Sequence, residues 1–312
     1  MSDPAIQVSG LGRAFGDMWA VRGLDLEVRR GEIFGLVGPD GAGKTTTMRM
    51  LTGILAASEG AATVAGYPIE GGEEQIKSRI SYMSQRFGLY GDLTVEENLR
   101  FYADLYEVPR RDREPLEEKL LGFSNLTPFR KRQARNLSGG MKQKLGLACA
   151  LIHKPEILFL DEPTNGVDPV SRRDFWRILY AMLKEGVTIF ISTAYLDEAE
   201  RCTRVGLMHR GRLIQCDTPQ KLKEGIPGQL LELETGQPRV AREALAARLG
   251  SGRVSMFGGM LHLYTDDAAE VEQVRAILKE AGIAIQSEKA ITPTLEDVFI
   301  YQVTEDDAEV PA

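Results

Sequence analysis

Ile33-Phe34-Gly35-Leu36-Val37-Gly38-Pro39-Asp40-Gly41-Ala42-Gly43-Lys44-Thr45 decides the reading of this chain. Its first five residues form a short apolar run of the kind that makes a buried strand. The next eight have the spacing G-x-x-x-x-G-K-T, and a helical stretch opens near Lys44 and runs to about Leu55. Strand, glycine-rich loop and helix, in that order, are what a phosphate cradle requires. Glycines let backbone N–H groups converge on phosphate oxygens with no side chain between them. The helix adds its positive N-terminal end. Lys44 can reach the β- and γ-phosphates, and Thr45 can place a hydroxyl on a divalent cation. The candidate phosphate-binding residues are Gly38, Asp40, Gly41, Ala42, Gly43, Lys44, Thr45 and Thr46. A glycine-rich turn with a surface lysine is the bland alternative; the flanking strand and helix argue against it.

Outward from this loop, residues Ile6–Val28 read as strands with a turn at Phe15-Gly16-Asp17. Leu93 to Leu121 carries helical spacing through Leu99, Tyr102, Leu105 and Tyr106, and a further helix follows Ser138. Ile157–Leu160 and Thr188–Ser192 read as buried strands with a helix between them from Ser171 to Glu185. This alternation predicts an α/β domain around a largely parallel sheet. Proline, glycine and charges collect over Asp217–Gly228, and the pattern then restarts. Strand, helix, a hairpin around Gly258-Gly259, helix and strand follow in turn. That β-α-β-β-α-β order predicts a small ferredoxin-like α+β domain. The expected division is therefore residues 1–225 and 226–312, with a helical subdomain over about 86–140.

Two other stretches carry chemistry. The apolar run Ile157-Leu158-Phe159-Leu160 stops abruptly at Asp161 and Glu162. In an open parallel sheet, ligands bind beyond the carboxyl ends of the strands. There Asp161 would hold Mg²⁺, through water, and Glu162 would polarise an attacking water. Leu137-Ser138-Gly139-Gly140-Met141-Lys142-Gln143 opens a helix, and its free N–H groups and serine hydroxyl make an anion site. Alone, the acidic pair is a strand end meeting solvent and the serine turn is a capped helix.

The three elements in this order resemble the ATP-binding subunit of an ABC transporter. The resemblance covers roughly residues 6–218 and implies a P-loop ABC nucleotide-binding domain. It implies ATP and Mg²⁺ as cofactors, with Thr45, Gln85 and Asp161 on the metal and Glu162 and Gln85 in the hydrolytic step. Gln85, within Tyr82-Met83-Ser84-Gln85-Arg86, matches the family's glutamine loop. Phe15 resembles the aromatic that stacks on adenine, and Asp168 in Gly166-Val167-Asp168-Pro169 matches the loop at the dimer interface. In that family two cassettes pack head to tail, so Ser138, Gly139 and Gly140 of one close over the γ-phosphate held by the other. The resemblance thus implies a second ABC ATPase subunit, in a homodimer, and a separate transmembrane permease.

One match fails. In Ile191-Ser192-Thr193-Ala194-Tyr195-Leu196-Asp197-Glu198-Ala199, alanine stands where the family usually has a histidine against the γ-phosphate. None of His153, His209 and His262 lies in this motif. Three readings stay open: a natural variant that still hydrolyses ATP, a weakened site paired with a competent one, or an engineered substitution. The intact Glu162 and Tyr195–Glu200 favour the first.

Gly31–Leu36, Asn165–Pro169 and Thr294-Leu295-Glu296-Asp297-Val298-Phe299 resemble exporter ATPases of the multidrug and daunorubicin-resistance type. This implies ATP hydrolysis coupled to outward transport. A soluble ABC ATPase of ribosomes or DNA, or an importer subunit, is the alternative. The soluble class usually has two cassettes or a long insertion, and importer tails are more often all-β. A net charge of −7 argues against a nucleic-acid partner. No apolar run approaches the roughly 18 residues that span a bilayer, and Met1-Ser2-Asp3-Pro4 shows no secretory signal. The chain is expected in the cytoplasm, peripheral on the inner membrane and touching it through the permease. Cys149, Cys202 and Cys216 have no metal-ligand spacing and read as small apolar residues.

Overall fold

The computed structural model describes residues 3–85 and 88–309. Arg86 of the glutamine segment, the first two residues of the expected subdomain at 86–87, and Met1-Ser2 lie outside the described residues. The chain divides into two compact units: Met1–Glu198 with Cys202–Leu213, and Ala199–Arg201 with Ile214–Ala312.

In the first unit, β1 (Ile6–Phe15) and β2 (Met18–Val28) pair antiparallel around the Gly16-Asp17 turn. β3 (Ile33–Val37) leads through the glycine-rich loop into α1 (Lys44–Leu51). This helix is shorter than its apolar pattern predicts. Gly53 takes φ 68, its N–H reaches the Met50 carbonyl at 3.1 Å, and the Ile54 N–H reaches Arg49 at 2.9 Å. That is a Schellman ending, which only a residue at ease with positive φ forms cheaply. β4 (Glu59–Val64), β5 (Tyr67–Pro68), α2 (Glu73–Lys77) and β6 (Ile80–Met83) follow. The antiparallel sheet has the order β2-β1-β4-β5.

Next come α3 (Val95–Leu105), opened by a Thr94–Glu97 capping box, and α4 (Arg110–Phe123). α5 (Gly139–Leu151), β7 (Ile157–Asp161), α6 (Pro169–Lys184), β8 (Thr188–Thr193), α7 (Leu196–Ala199) and β9 (Arg204–His209) follow. The strands of the parallel sheet run in the order β9-β3-β8-β7-β6. Their continuous apolar sequences fit burial on both faces. Phe34, Phe159 and Phe190 are fully buried at its centre, with ring centroids 5.3 and 5.5 Å from Phe190. Register aligns Val37 with Thr193, Asp161 with Ser192 and Met83 with Leu160. The carboxyl ends of four strands therefore meet along one edge.

β10 (Arg212–Asp217) and α8 (Pro219–Glu224) lead on to β11 (Gln229–Thr235), α9 (Pro238–Leu249), β12 (Val254–Phe257), β13 (Met260–Thr265), α10 (Ala268–Glu280), β14 (Ile285–Ile291) and α11 (Leu295–Glu309). In the second unit, the sheet order is β12-β13-β11-β14 and each neighbouring pair is antiparallel. Leu233, Ala241, Leu245, Leu261, Leu263, Val274 and Leu278 form its core. No described helix is long and apolar enough to cross a membrane.

Phe190 tests where the first core is centred. Phe190→Ala should cost about 3–5 kcal/mol of stability by chemical denaturation. A loss under about 1 kcal/mol would contradict this placement.

Candidate functional site

Gly38 and Gly43 are fixed by close approach. A Cβ on Gly38 would lie 2.2 Å from the Met208 carbonyl oxygen. Gly43 has φ 106, and its Cβ would lie 2.5 Å from the Ala20 carbonyl. The first N–H groups of α1, which have no partner within the helix, follow directly from this tightly wrapped loop. Lys44 is only 4% exposed. Its Nζ donates to the carbonyls of Gly38 at 2.8 Å and Pro39 at 3.0 Å, and lies 3.4 Å from Glu162 Oε1. Burial makes an unpaired ammonium costly, and these acceptors satisfy it.

Asp161, 2% exposed, ends β7. Its Oδ1 accepts from the hydroxyls of Thr45 at 3.0 Å and Ser192 at 2.6 Å, and its Oδ2 from Tyr82 at 3.1 Å. Burial, reinforced by the charge of Asp161, pushes the Tyr82 phenol up to about 12. Glu162 follows with φ 47, a left-handed conformation uncommon outside glycine. Its N–H donates to the carbonyl and hydroxyl of Ser192, both at 3.1 Å. Its Oε2 accepts from Gln85 Nε2 at 3.0 Å and Asn165 Nδ2 at 3.5 Å.

Phe15, Met18, Ala20, Asp40, Gly41, Gly43, Lys44, Thr45, Thr46, Gln85, Glu162 and Asn165 line one cleft. Phe15 is 46% exposed at its mouth, with the Arg13 guanidinium 4.9 Å from the ring centroid. Gly38 and Ala42 are buried under the loop, and Asp161 lies behind Thr45. Ser138, Gly139, Gly140 and Asp168 are absent from that lining. Ser138 caps α5 by accepting from the Met141 N–H at 3.3 Å. Asp168 caps α6, accepting from Val170 at 3.1 Å and Ser171 at 2.9 Å. Ser138 and Gly139 are exposed, whereas Gly140 is buried against Ser171.

Ala194 is exposed between β8 and α7, and its side chain offers no polar atom. Its neighbours are tied down. Glu198, fully buried, accepts from Thr164 at 2.5 Å and Thr193 at 3.2 Å and faces Arg172 Nε at 3.4 Å. Burial pushes its carboxyl up from the usual range. His153 bonds the Ile80 carbonyl at 3.0 Å and stacks on Tyr106, so it has a structural occupation of its own.

Sequence reasoning missed Tyr82, Ser192, Asn165 and the Glu198 cluster. Ser192 and Tyr82 could have been found only from strand register. Asn165 carried a signal, standing three residues after Glu162 in a turn.

The family model described as ABC transporter matches residues 21–165. The chain is 42% identical over 312 residues to the probable multidrug ABC transporter ATP-binding protein YbhF of Escherichia coli (strain K12), covering 96% of this chain and 52% of that protein. It thus spans about half the length of the first curated relatives it matches. It is 37% identical over 303 residues to Nod factor export ATP-binding protein I of Rhizobium sp. (strain N33), covering 96% and 97%. It is 34% identical over 315 residues to daunorubicin resistance ATP-binding protein DrrA3 of Streptomyces coeruleorubidus, covering 99% of each. Among solved structures, an ATP-binding subunit of an ABC transporter matches with TM-score 0.65 and 29% identity, covering 70% of this chain and 92% of that one. The cbiO1 protein of Clostridium perfringens, part of the ABC transporter complex cbiONQ, matches with TM-score 0.67 and 26% identity, covering 80% and 96%.

A Cβ on Gly140 would lie 2.3 Å from Ser171 Oγ and 2.4 Å from Ser171 Cβ. Gly140→Ala should therefore destabilise the first unit by about 1–3 kcal/mol in a denaturant melt. Adding Ser171→Gly should recover most of the loss; no recovery would place the clash elsewhere.

Proposed function

The chain belongs to the ABC transporter family of ATP-binding subunits, and from that premise we propose that it binds ATP and hydrolyses it to power export through a separate membrane permease. The observation that carries this reading is the convergence of Lys44, Thr45, Gln85 and Glu162 on one cleft beyond the strand ends. The export direction is supported by the names of the relatives, which are a multidrug, a Nod factor export and a daunorubicin resistance protein.

The phosphates sit on the glycine-rich loop, and the base stacks on exposed Phe15. Lys44 gives up neutral carbonyl acceptors for anionic phosphate oxygens, which adds the attraction of opposite charges to the hydrogen bond. Glu162 is the base, its Oε2 oriented by Gln85, so a water beside it is polarised toward the γ-phosphorus. The oxygen donors here suit Mg²⁺. Thr45, Gln85 and, through water, Asp161 would hold it. When bound, it draws charge from the β- and γ-phosphates.

Ser138, Gly139, Gly140 and Asp168 do not line this cleft, and we assign them to the cleft of a second copy packed head to tail. The exposed turn at Ser138 and Gly139 then closes over the γ-phosphate held by that copy, and Asp168 lies in the loop at the dimer interface. Residues 1–225 are the nucleotide-binding domain in this reading, and 226–312 an accessory domain of ferredoxin-like type. The assembly sits on the cytoplasmic face of the inner membrane, held there by the permease.

Lys44→Ala should weaken Mg-ATP binding or abolish turnover, and parental turnover in that variant would refute the site. Glu162→Gln keeps the shape but removes the base, which typically costs about 10²–10⁴ in rate. It should trap an ATP-bound dimer, seen as doubled mass in size-exclusion chromatography with ATP. Ala194→His adds one hydrogen bond to charged phosphate, worth roughly 1.5–3 kcal/mol. Were that bond made only in the transition state, turnover would rise on the order of tenfold to a hundredfold. A site already adapted to alanine would change little. Turnover undetectable in the parent with its permease, and not restored by Ala194→His, would refute the hydrolytic reading.

A further inference from the structure

The segment that lacks the histidine carries a different polar connection to Glu162. Tyr195 stands next to Ala194 and is held from two sides. Its N–H donates to Thr193 Oγ1 at 2.9 Å, and the Arg172 guanidinium lies 4.8 Å from its ring centroid. Arg172 is itself fixed by Glu198 at 3.4 Å and Asp197 at 3.5 Å. So placed, the Tyr195 hydroxyl donates to Asn165 Oδ1 at 3.3 Å. The other end of the Asn165 amide, Nδ2, donates to Glu162 Oε2 at 3.5 Å.

The orientation of the Asn165 amide follows from its neighbours. An ionised carboxylate only accepts, so it needs the amide nitrogen. A phenol hydroxyl can donate, so it takes the amide oxygen. The reversed amide would set its oxygen against the carboxylate oxygen. Tyr195 therefore selects the amide face that Glu162 needs. The Asn165 backbone is held as well: its N–H donates to the Glu162 carbonyl at 3.2 Å, closing the turn that begins at the left-handed Glu162. Glu162 Oε2 thus receives two amide donors, from Gln85 on one side and Asn165 on the other.

We propose that Tyr195 and Asn165 form a positioning relay for Glu162, orienting the carboxylate from the segment where this chain has no histidine. The inference rests on the reading of the cleft as a hydrolytic ATP site. Neither residue transfers a proton or touches phosphate in this role. Asn165 narrows the rotation of the base, and Tyr195 fixes Asn165. Orientation matters because a base must lie within hydrogen-bond reach of its water. A relay acting only on Glu162 has a signature: it changes kcat and leaves ATP affinity alone, since Lys44 and the loop hold the nucleotide independently.

The test is steady-state Mg-ATP hydrolysis by the full chain and three variants, Tyr195→Phe, Asn165→Ala and the double variant, with thermal melts alongside. Tyr195→Phe keeps the ring under Arg172 and removes only the hydroxyl. It should lower kcat about three- to tenfold, the worth of one neutral hydrogen bond, with KM for ATP unchanged. Asn165→Ala should lower kcat at least as far. The double variant should be no slower than Asn165→Ala, because the hydroxyl then has nothing to orient. Parental kcat in Tyr195→Phe, or losses that multiply in the double variant, would overturn the relay while the hydrolytic site stands. A rise in KM matching the fall in kcat/KM would also overturn it, assigning the pair to nucleotide binding. A parent that binds ATP without turning it over would overturn the relay, and if Ala194→His does not restore turnover the hydrolytic reading falls with it. Should Asn165→Ala fail to fold, Tyr195→Phe in the Ala194→His background decides. With the histidine supplied, loss of the hydroxyl should cost less than in the parent, and an equal cost would overturn the relay.

Discussion

A carboxylate taken out of water needs hydrogen bonds, and the edge of the parallel sheet is organised around one. Asp161 is 2% exposed and receives three hydroxyl donors, from Thr45 on α1, Tyr82 on β6 and Ser192 on β8. An isolated buried carboxylate would be so costly that it would neutralise itself instead. Each donor comes from a different element, so the demand of one side chain aligns three of them with β7. A one-residue slip of β8 would turn Ser192 to the opposite face and take its hydroxyl from the acid. Burial of the aromatic sheet core and satisfaction of Asp161 thus select the same register.

That alignment sets up the residue that follows. Glu162 occupies left-handed backbone, a conformation that costs of order 1–3 kcal/mol for a non-glycine residue. It persists because its surroundings over-determine it. Its N–H is held by Ser192, its carbonyl by the Asn165 N–H, and Thr164 within the turn by buried Glu198. The sharp change of direction lifts the carboxylate out of the sheet plane into the cleft, where Gln85 and Lys44 meet it. Had the strand continued straight, the side chain would have entered the alternation of the sheet. The strain falls on the residue proposed as the base.

The parts legible in the sequence were those set by local rules. The glycine-rich loop, the Asp161-Glu162 strand end and the helix start at Ser138 are short-range patterns, found where the residue types put them, whereas α6 begins at Pro169 behind the Asp168 cap, ahead of the expected Ser171. The elements after Gln229 alternate in the same way, because each buries a single face against Leu233, Leu263 and their neighbours. What stayed hidden depends on register. Thr45 and Asp161 are 116 residues apart, and Tyr82 and Asp161 are 79 apart. Nothing in the spacing of Tyr82 or Ser192 announces that they face one acid. β6 was missed for a related reason: Ile80–Met83 is four residues long, too short for periodicity to separate from its surroundings. The end of α1 was overrun because Thr52-Gly53-Ile54-Leu55 continues an apolar pattern that the left-handed Gly53 interrupts.

The two units bury polar groups in opposite ways, and the contrast bears on what each is for. In the second unit, Asp297 is fully buried and has both oxygens committed. Oδ1 faces His262 Nδ1 at 2.7 Å, and Oδ2 accepts from the Thr294 N–H at 2.8 Å and hydroxyl at 2.7 Å. His262 faces Glu232 on its other side at 3.6 Å. The cluster closes on itself, caps α11 and joins that helix to β13, which makes it scaffolding. In the first unit the polar groups that line the cleft have exchangeable partners. Lys44 rests on loop carbonyls, and the Gln85 side chain donates its amide N–H to Glu162. The Lys44 ammonium has three donors, so a ligand phosphate can displace one of its acceptors while the others remain. A buried network fully satisfied by its own fold resists substitution. One held by weaker, replaceable acceptors is already prepared for a stronger one. That criterion supports the proposal that this chain meets its ligand at the Lys44 cleft, and it marks the Asp297 cluster as the place where the second unit holds its own shape.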